Sequence, residues 1–479
     1  MNLKKQYGKL SEPIKASMWF IISNIIIRGM SFITLPIFSR LLTTSEYGTV
    51  SVYQSWVSII SIITTLTIWG GVFNVGMVKF GEKRDEMISS FQGLAISITV
   101  VFATIAIILL PVMSMLTKMS YLLVVTMFID ILAQIPFNIW STEQRYLYKY
   151  KKLVLITLLI SISNPILGYF AVANSQDKAT ARIISGLIVP CIVGIILFIN
   201  IQKKGKCFYS KEFWKYAFLF NVVLIPHYLS TQILNQADRV MIDSLCGKSD
   251  AGIYSVAYSF AMLLSLITGG INSSLTPYIY QKMKENDIAK LRRQVSSVLW
   301  LVALATMAFI AFIPDVFFFL LPDSYYPALK VIPPVTLGAF FLFIYPLFGS
   351  IEFYFEENKY VTYASIGGAV LNIILNYYFI QIFGFIAAAY TTFFCYLCFT
   401  VFHYFFMKKV CKKHNFYDSV YDERTVLLIS VLVIAFSLLL TAVYDFLWIR
   451  WAIILCILIV MIVKRKYFIN IIRVLLKKD

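Results

Sequence analysis

Of the 42 lysine and arginine residues in this chain, Arg28 alone falls deep inside a long apolar segment. A guanidinium near a bilayer centre costs about 2.5–3.5 kcal/mol, so such a residue is expected to face a protein interior or a watery path. Such a residue marks a substrate or ion path. Asp130 is the acidic counterpart, also in the middle of an apolar segment. It is suited to carrying a proton or sodium ion, or to pairing with Arg28 until a substrate anion takes its place. His227 lies in a third apolar segment. An imidazole of ordinary pKa, about 6.5, suits a proton-linked step there, although a hydrogen-bonded interior histidine reads the same way.

The uncharged polar residues around these three fall at helical spacing. Ser17, Asn24, Arg28 and Ser31 share one stripe, Thr126, Asp130, Gln134 and Asn138 recur every fourth residue, and Asn221, Tyr228, Gln232, Asn235 and Arg239 line up beside His227 and Thr231. Shorter stripes occur at Gln54, Ser58, Ser61 and Thr65 and at Ser365, Asn372 and Asn376. Singly, each residue has an ordinary reading as an interhelical hydrogen bond worth about 0.6 kcal/mol. Together they describe the wall of a polar lumen, with Arg28, Asn24, Gln134, Asn138, Gln232 and Asn235 facing substrate. Asp130 and His227 are then the residues for ion coupling or gating. Lys15, Lys79 and Arg145 flank the segment ends, where they add positive field at the cytoplasmic mouth.

The elements that must position these residues are membrane spans. Apolar residues make up 59% of the 479 and charged residues 14%, against about 45–50% and 25% in soluble domains. Fourteen stretches have the roughly 20-residue length that crosses a bilayer as helix. They run over 16–35, 49–73, 88–110, 120–140, 153–174, 183–201, 213–235, 251–275, 296–318, 329–351, 361–381, 385–407, 425–444 and 446–463. Continuous apolar runs without alternation are helices and not barrel strands, so an all-α polytopic bundle is expected. The first run is of full length with no small-residue cleavage site and reads as a span.

Alternating connections carry 33 and 8 cations, with Arg28 completing the set. The positive-inside rule then places both termini in the cytoplasm. The net charge of +18 is explained by topology and headgroup contact, with no nucleic acid needed. One connection is out of character: Glu352, Glu356, Glu357 and Lys359 are acidic for the face they occupy. His414 reads as a solvated loop residue, and His403 sits near a span end.

Several activities are excluded by what the connections lack. None is long enough for a soluble catalytic domain, and no G-x-x-x-x-G-K-[ST] phosphate loop is present. No catalytic residue and no cofactor is expected. Cys395 and Cys398 form a C-x-x-C inside a span without a second pair or a nearby histidine, so they read as packing residues and not as a metal or redox site.

An internal duplication organises the spans. Glu46-Tyr47-Gly48-Thr49-Val50-Ser51-Val52 aligns with Asp250-Ala251-Gly252-Ile253-Tyr254-Ser255-Val256 at an offset of 204 residues. Six spans separate the copies, so the repeats are parallel, as in transporters that rock two lobes around a central site. The expected domains are an N-terminal lobe over 1–205, a C-terminal lobe over 206–415, and two appended spans with a tail over 416–479.

The stretch Asp238-Arg239-Val240-Met241-Ile242-Asp243 with Asp250 to Tyr258, and Leu35 to Leu42 with Glu46-Tyr47-Gly48, resembles bacterial polysaccharide flippases of the Wzx type. These belong to the multidrug/oligosaccharidyl-lipid/polysaccharide exporter superfamily. The resemblance covers nearly the whole chain, through short motifs. It implies a V-shaped, two-lobed transporter that moves undecaprenyl-diphosphate-linked oligosaccharide across the bacterial cytoplasmic membrane. It also implies membrane lipids, a polysaccharide polymerase and a chain-length regulator as partners. Two alternatives stay open: a small-molecule antiporter of the same superfamily, and a membrane-embedded glycan polymerase or ligase.

Overall fold

The computed structural model describes residues 12–416 and 419–465, without the side chains at 12–14, 17, 21, 24, 25, 28, 31, 358 and 359. Among the described residues the chain forms eighteen α-helices and no strand, and the fourteen apolar segments are largely helical, except that 49–73 is interrupted by a turn over 66–70, where Leu66 and Thr67 take positive φ. Among the described residues ten helical stretches, Lys248–Lys284 taken as one, are long and apolar enough to span a membrane by those measures alone, and a bent pair makes an eleventh.

The N-terminal helices are α1 (Glu12–Leu41), α2 (Thr44–Thr65), α3 (Gly71–Lys79), α4 (Arg84–Ile108), α5 (Leu110–Thr117) and α6 (Tyr121–Tyr146). A capping box starts α2. Thr43 Oγ1 accepts from Glu46 N at 3.2 Å, and Glu46 Oε2 accepts from Thr43 N at 2.7 Å, so two of the orphan amides of the helix start are satisfied reciprocally. Glu46 of the duplicated motif is thus a helix cap. Next come α7 (Tyr150–Ala173), α8 (Lys178–Gly205), α9 (Lys211–Val222) and α10 (Ile225–Leu245).

The axes of α9 and α10 differ by 53°, where the sequence predicts one span over 213–235. Pro226 is the physical reason: it lies in the first turn of α10, donates no amide hydrogen bond and crowds the carbonyl four residues back.

After them come α11 (Lys248–Ala261), α12 (Leu263–Lys284), α13 (Ile288–Leu320), α14 (Ile332–Tyr354), α15 (Asn358–Phe383), α16 (Ile386–Lys413), α17 (Glu423–Ala442) and α18 (Leu447–Val463).

Packing divides the chain into two compact units that meet at Gly252 and Ile253. In the first, α6 lies against α8 and α4, α1 against α7, and α2 against α10. Its apolar cores gather around Phe73, Met87 and Phe91 and around Met127, Phe128 and Ile131. In the second, α14 packs along α16 and α12, α15 along α16, and both α17 and α18 against α13. Phe340, Phe341 and Phe343 are completely or nearly buried at its centre.

The starts of α2 and α11, the two copies of the duplicated motif, meet within the first unit. A Cβ on Gly48 would overlap the Lys248 carbonyl oxygen and stand 3.0 Å from Gly252 N, while one on Gly252 would overlap the Thr44 carbonyl oxygen and stand 2.8 Å from Gly48 N. Thr44 and Ser249 hydroxyls lie 2.8 Å apart beside them. Glycine is required at both positions because the neighbours are backbone and cannot give way.

Candidate functional site

On α6 the fourfold spacing brings Asp130 and Gln134 together. Gln134 Nε2 donates to Asp130 Oδ1 at 2.6 Å, and the Tyr53 hydroxyl of α2 points at Oδ2 from 3.5 Å. Asp130, Gln134 and Asn138 are all half-buried, so a strong local bond and a weak interhelical one hold the carboxylate while leaving it partly accessible.

The stripe on α10 turns largely onto its own backbone. Thr231 Oγ1 donates to the His227 carbonyl at 3.0 Å, Asn235 Nδ2 to the Thr231 carbonyl at 2.8 Å, and Arg239 to the Asn235 carbonyl at 2.7 Å. Gln236, which lies beside that stripe, bonds to another helix. Its Oε1 accepts from Arg239 at 3.0 Å and from Ser55 of α2 at 3.2 Å. His227 and Gln232 are half-buried, the His227 ring packs against Tyr228, and its Nδ1 is buried with no hydrogen-bond partner among the described residues. No hydrogen bond between described residues joins the Asp130 group to the α10 group.

Asn24 and Arg28 are helical residues of α1 whose side chains lie outside the described residues, as does any pairing of Arg28 with Asp130. Of the flanking cations, Lys15 is half-buried near the start of α1. Lys79 is exposed, with its ammonium 4.3 Å from the Tyr216 ring centre, and Arg145 is exposed, 6.0 Å from that of Phe20.

Charge lies deeper in the helices than the sequence predicts. Arg239, expected in a connection, sits inside α10 at 8% exposure because that helix continues to Leu245. Arg450, likewise expected in a connection, is buried in the first turn of α18 and holds Asp315 of α13 through two bonds of 2.9 and 3.3 Å.

The acidic connection is also reassigned. Glu352 is not a loop residue; it lies in α14 with no exposed surface, and its Oε1 is 2.8 Å from Nδ1 of the equally buried His403 of α16. Glu352 Oε2 and His403 Nε2 have no partner among the described residues. Tyr345 and Phe399 rings enclose the imidazole at 5.4 and 4.6 Å. Glu357 pairs with Lys413 and lies 3.7 Å from His414, whose ring stacks on Phe355 at 4.4 Å, so His414 is not simply solvated.

The stripe at Asn372 and Asn376 is fully buried and bonded to α16. Asn372 Nδ2 donates to Thr392 Oγ1 and Asn376 Nδ2 to Asn372 Oδ1, both at 3.2 Å, and Thr391 donates to Asn376. The signal for the Glu352 pair was present in the sequence as an acidic residue on a basic face and a histidine within an apolar run; nothing in either pattern links the two.

Comparison with known proteins follows the same lines. In overall structure the chain is similar to one described as "Lipid II flippase MurJ, inward closed conformation", with a TM-score of 0.68 and 16% identity over 94% of this chain and 100% of that one. It is also similar to an inward-facing multidrug resistance MATE family transporter of the MOP superfamily, with a TM-score of 0.62 and 14% identity over 83% of this chain and 99% of that one. In sequence it is 22% identical to an uncharacterized membrane protein of Haemophilus influenzae over 281 residues, 57% of this chain and 67% of that protein. "Lsg locus putative protein 1" of the same organism matches at 22% over 282 residues, again 57% and 67%. Residues 224–378 match the MatE family. Residues 14–283, more than half of the chain, match the family described as "Polysaccharide biosynthesis protein", and the chain, all-α and polytopic, belongs to that family.

Proposed function

We propose that this protein is a flippase that carries undecaprenyl-diphosphate-linked oligosaccharide from the inner to the outer leaflet of the bacterial cytoplasmic membrane, by alternating access and driven by an ion gradient. The observation that carries this reading is a conjunction. The polysaccharide biosynthesis family match over residues 14–283 coincides with a fold shared, over 94% of the chain, with a protein named as a lipid II flippase.

The chemistry of the helices agrees with such a substrate. A diphosphate head requires a cation, which Arg28 supplies; sugar hydroxyls require neutral hydrogen-bonding groups, which Asn24, Gln134, Asn138, Gln232 and Asn235 supply. Lys15, Lys79 and Arg145 add field at the cytoplasmic mouth. Asp130, held by Gln134 yet half-buried, and His227, with a buried unpartnered nitrogen, are the coupling or gating groups. The lobes are residues 1–205 and 206–415, with 416–479 appended and both termini cytoplasmic. The protein transports without catalysing a reaction, and a polymerase and chain-length regulator act on what it delivers.

Reconstitution tests this directly. In proteoliposomes bearing a fluorescent polyprenyl-diphosphate saccharide, the protein is expected to expose the inner-leaflet pool to an external quencher. Equal quenching with and without protein would overturn the reading. A second reading, a small-molecule antiporter, is favoured by the MatE match over residues 224–378. It predicts drug efflux with no effect on the lipid pool.

A further inference from the structure

A cavity of about 580 Å³ opens where the end of α6, the start of α7 and the end of α8 converge. Its volume falls in the range of small-molecule sites, roughly 300–1,000 Å³. Four lysines line it, and they divide by engagement. Lys204 is shared between Asp85 at 2.7 Å and the buried Glu143 at 3.1 Å, so its charge is already committed within the wall. Lys149, Lys151 and Lys152 are exposed and form no ion pair among the described residues. The cavity therefore presents three uncommitted positive charges to an incoming anion.

A second observation comes from the backbone. Tyr148, in the connection between α6 and α7, has φ +55°, a left-handed conformation that bulky side chains rarely adopt. Two bonds pin it there: Tyr148 N to the Arg145 carbonyl at 3.2 Å and Lys149 N to the Gln144 carbonyl at 2.8 Å. The ring is about half exposed, at 49%, so packing does not account for an aromatic at this position. The same left-handed helix end, with its bond to the carbonyl five residues back, recurs at Asn286, Glu356 and Asn415; what sets this one apart is an exposed aromatic ring beside a cavity. Tyr148 and Trp140 both line the cavity, placing aromatic faces beside the lysines.

Unpaired ammonium groups next to aromatic surface, at helix ends where a bilayer meets water, match a phosphorylated headgroup that carries a sugar. The ammonium groups bind phosphate oxygens as point charges, and aromatic rings pack against the C–H face of a pyranose. Basic pockets between spans are recognised headgroup sites.

We propose that this cavity is the docking site for the saccharide diphosphate headgroup of the lipid-linked substrate at the membrane surface, before it enters the transport path. This rests on the flippase reading. Lys149, Lys151 and Lys152 hold the phosphates, and Tyr148 and Trp140 hold the first sugar. The same phosphate chemistry is offered by an anionic phospholipid, and the test separates the two.

The full-length protein in phosphatidylcholine nanodiscs is titrated with three probes: polyprenyl diphosphate N-acetylglucosamine, the bare polyprenyl diphosphate, and phosphatidylglycerol, with retention read by native mass spectrometry. The triple variant Lys149→Ala, Lys151→Ala, Lys152→Ala is expected to lose about a hundredfold in affinity for both diphosphates, from about one kcal/mol per surface lysine. Tyr148→Gly suits the left-handed backbone and so retains the fold. It is expected to lose about fivefold for the sugar-bearing probe alone. Wild-type affinity in the triple variant, equal affinity of the wild type for phosphatidylglycerol and the saccharide lipid, or an equal loss for both diphosphates in Tyr148→Gly would each overturn the proposal. Retention is measured without transport. A triple variant that no longer retains the saccharide lipid yet flips it at the wild-type rate therefore overturns the docking role and spares the flippase. A wild type that retains the lipid but never flips it overturns the flippase reading instead.

Discussion

Gly48 and Gly252, equivalent residues of an internal duplication, close on each other's strand of backbone: each leaves the space in which a carbonyl from the other's helix start is seated. The duplication is thus a matter of chain history and also of contact, since its two copies are each other's packing surface.

Gly48→Ala and Gly252→Ala are each expected to push the two helix starts apart, at a cost of about 1–3 kcal/mol. Because the two sites share one interface, the double variant is expected to cost less than the sum of the singles. Thermal unfolding of the purified protein in detergent checks both statements. Strict additivity, or an unchanged midpoint in the singles, would contradict the shared contact.

Glu352 and His403 form a fully buried pair at 2.8 Å. Removing one partner leaves the other stranded, so Glu352→Ala and His403→Ala are each expected to cost about 3–5 kcal/mol, whereas the apolar double variant Glu352→Met, His403→Leu recovers most of the loss. Melting temperatures of the four proteins decide this. A double variant as unstable as the two single losses combined would refute the pairing account.

Asp130 is held by Gln134 at 2.6 Å and addressed by Tyr53 only at 3.5 Å. If Asp130 carries the coupling charge, Asp130→Asn keeps the bond to Gln134 but forfeits the drive from an imposed potential, worth about 2.3 kcal/mol per charge at 100 mV. Gln134→Ala is expected to slow transport and Tyr53→Phe to leave it within about twofold, given the steep weakening of long hydrogen bonds. Rates in proteoliposomes with and without a gradient are the readout; an Asp130→Asn variant still driven by the gradient removes Asp130 from coupling.

Asp422 caps α17, accepting from Thr425 Oγ1 at 2.6 Å and Thr425 N at 3.2 Å. The Thr425 side chain, then its backbone amide, hold the Asp422 pKa below the usual carboxylate value. A depressed carboxylate stabilises the fold above its unfolded-state pKa, and that contribution disappears as pH falls through the folded value. Asp422→Ala is accordingly expected to cost about 1 kcal/mol at neutral pH and progressively less in acid, seen as converging melting temperatures. A penalty that stays constant into acid would show that the charge is not the capping element.

Apolar length made the architecture legible, because the stretches long enough to cross a bilayer are mostly helix, with 49–73 and 213–235 each divided in two. Fourfold spacing made the Asp130–Gln134 bond legible for a similar reason, both residues lying on one turn of one helix. The 53° break before α10 was less visible, since Pro226 near a helix start reads like any first-turn proline. Buried charges were the hardest to read. Arg239 and Arg450 sit close enough to span ends to be counted with the connections; the reach of α10 to Leu245 moves the first inside, and pairing with Asp315 of α13 buries the second. Glu352 was masked by Glu356 and Glu357 beside it, and its partner is fixed by the packing of α14 on α16, which no periodicity encodes.

The separation of that pair along the chain bears on how the protein is made. His403 is translated 51 residues after Glu352, so α14 and α15 are complete before the imidazole that Glu352 needs exists. A chain that stops short of α16 would carry the Glu352 carboxylate without the imidazole that meets it in the full protein. Synthesis of α16 is therefore what supplies the partner that an ionisable group already placed in α14 requires.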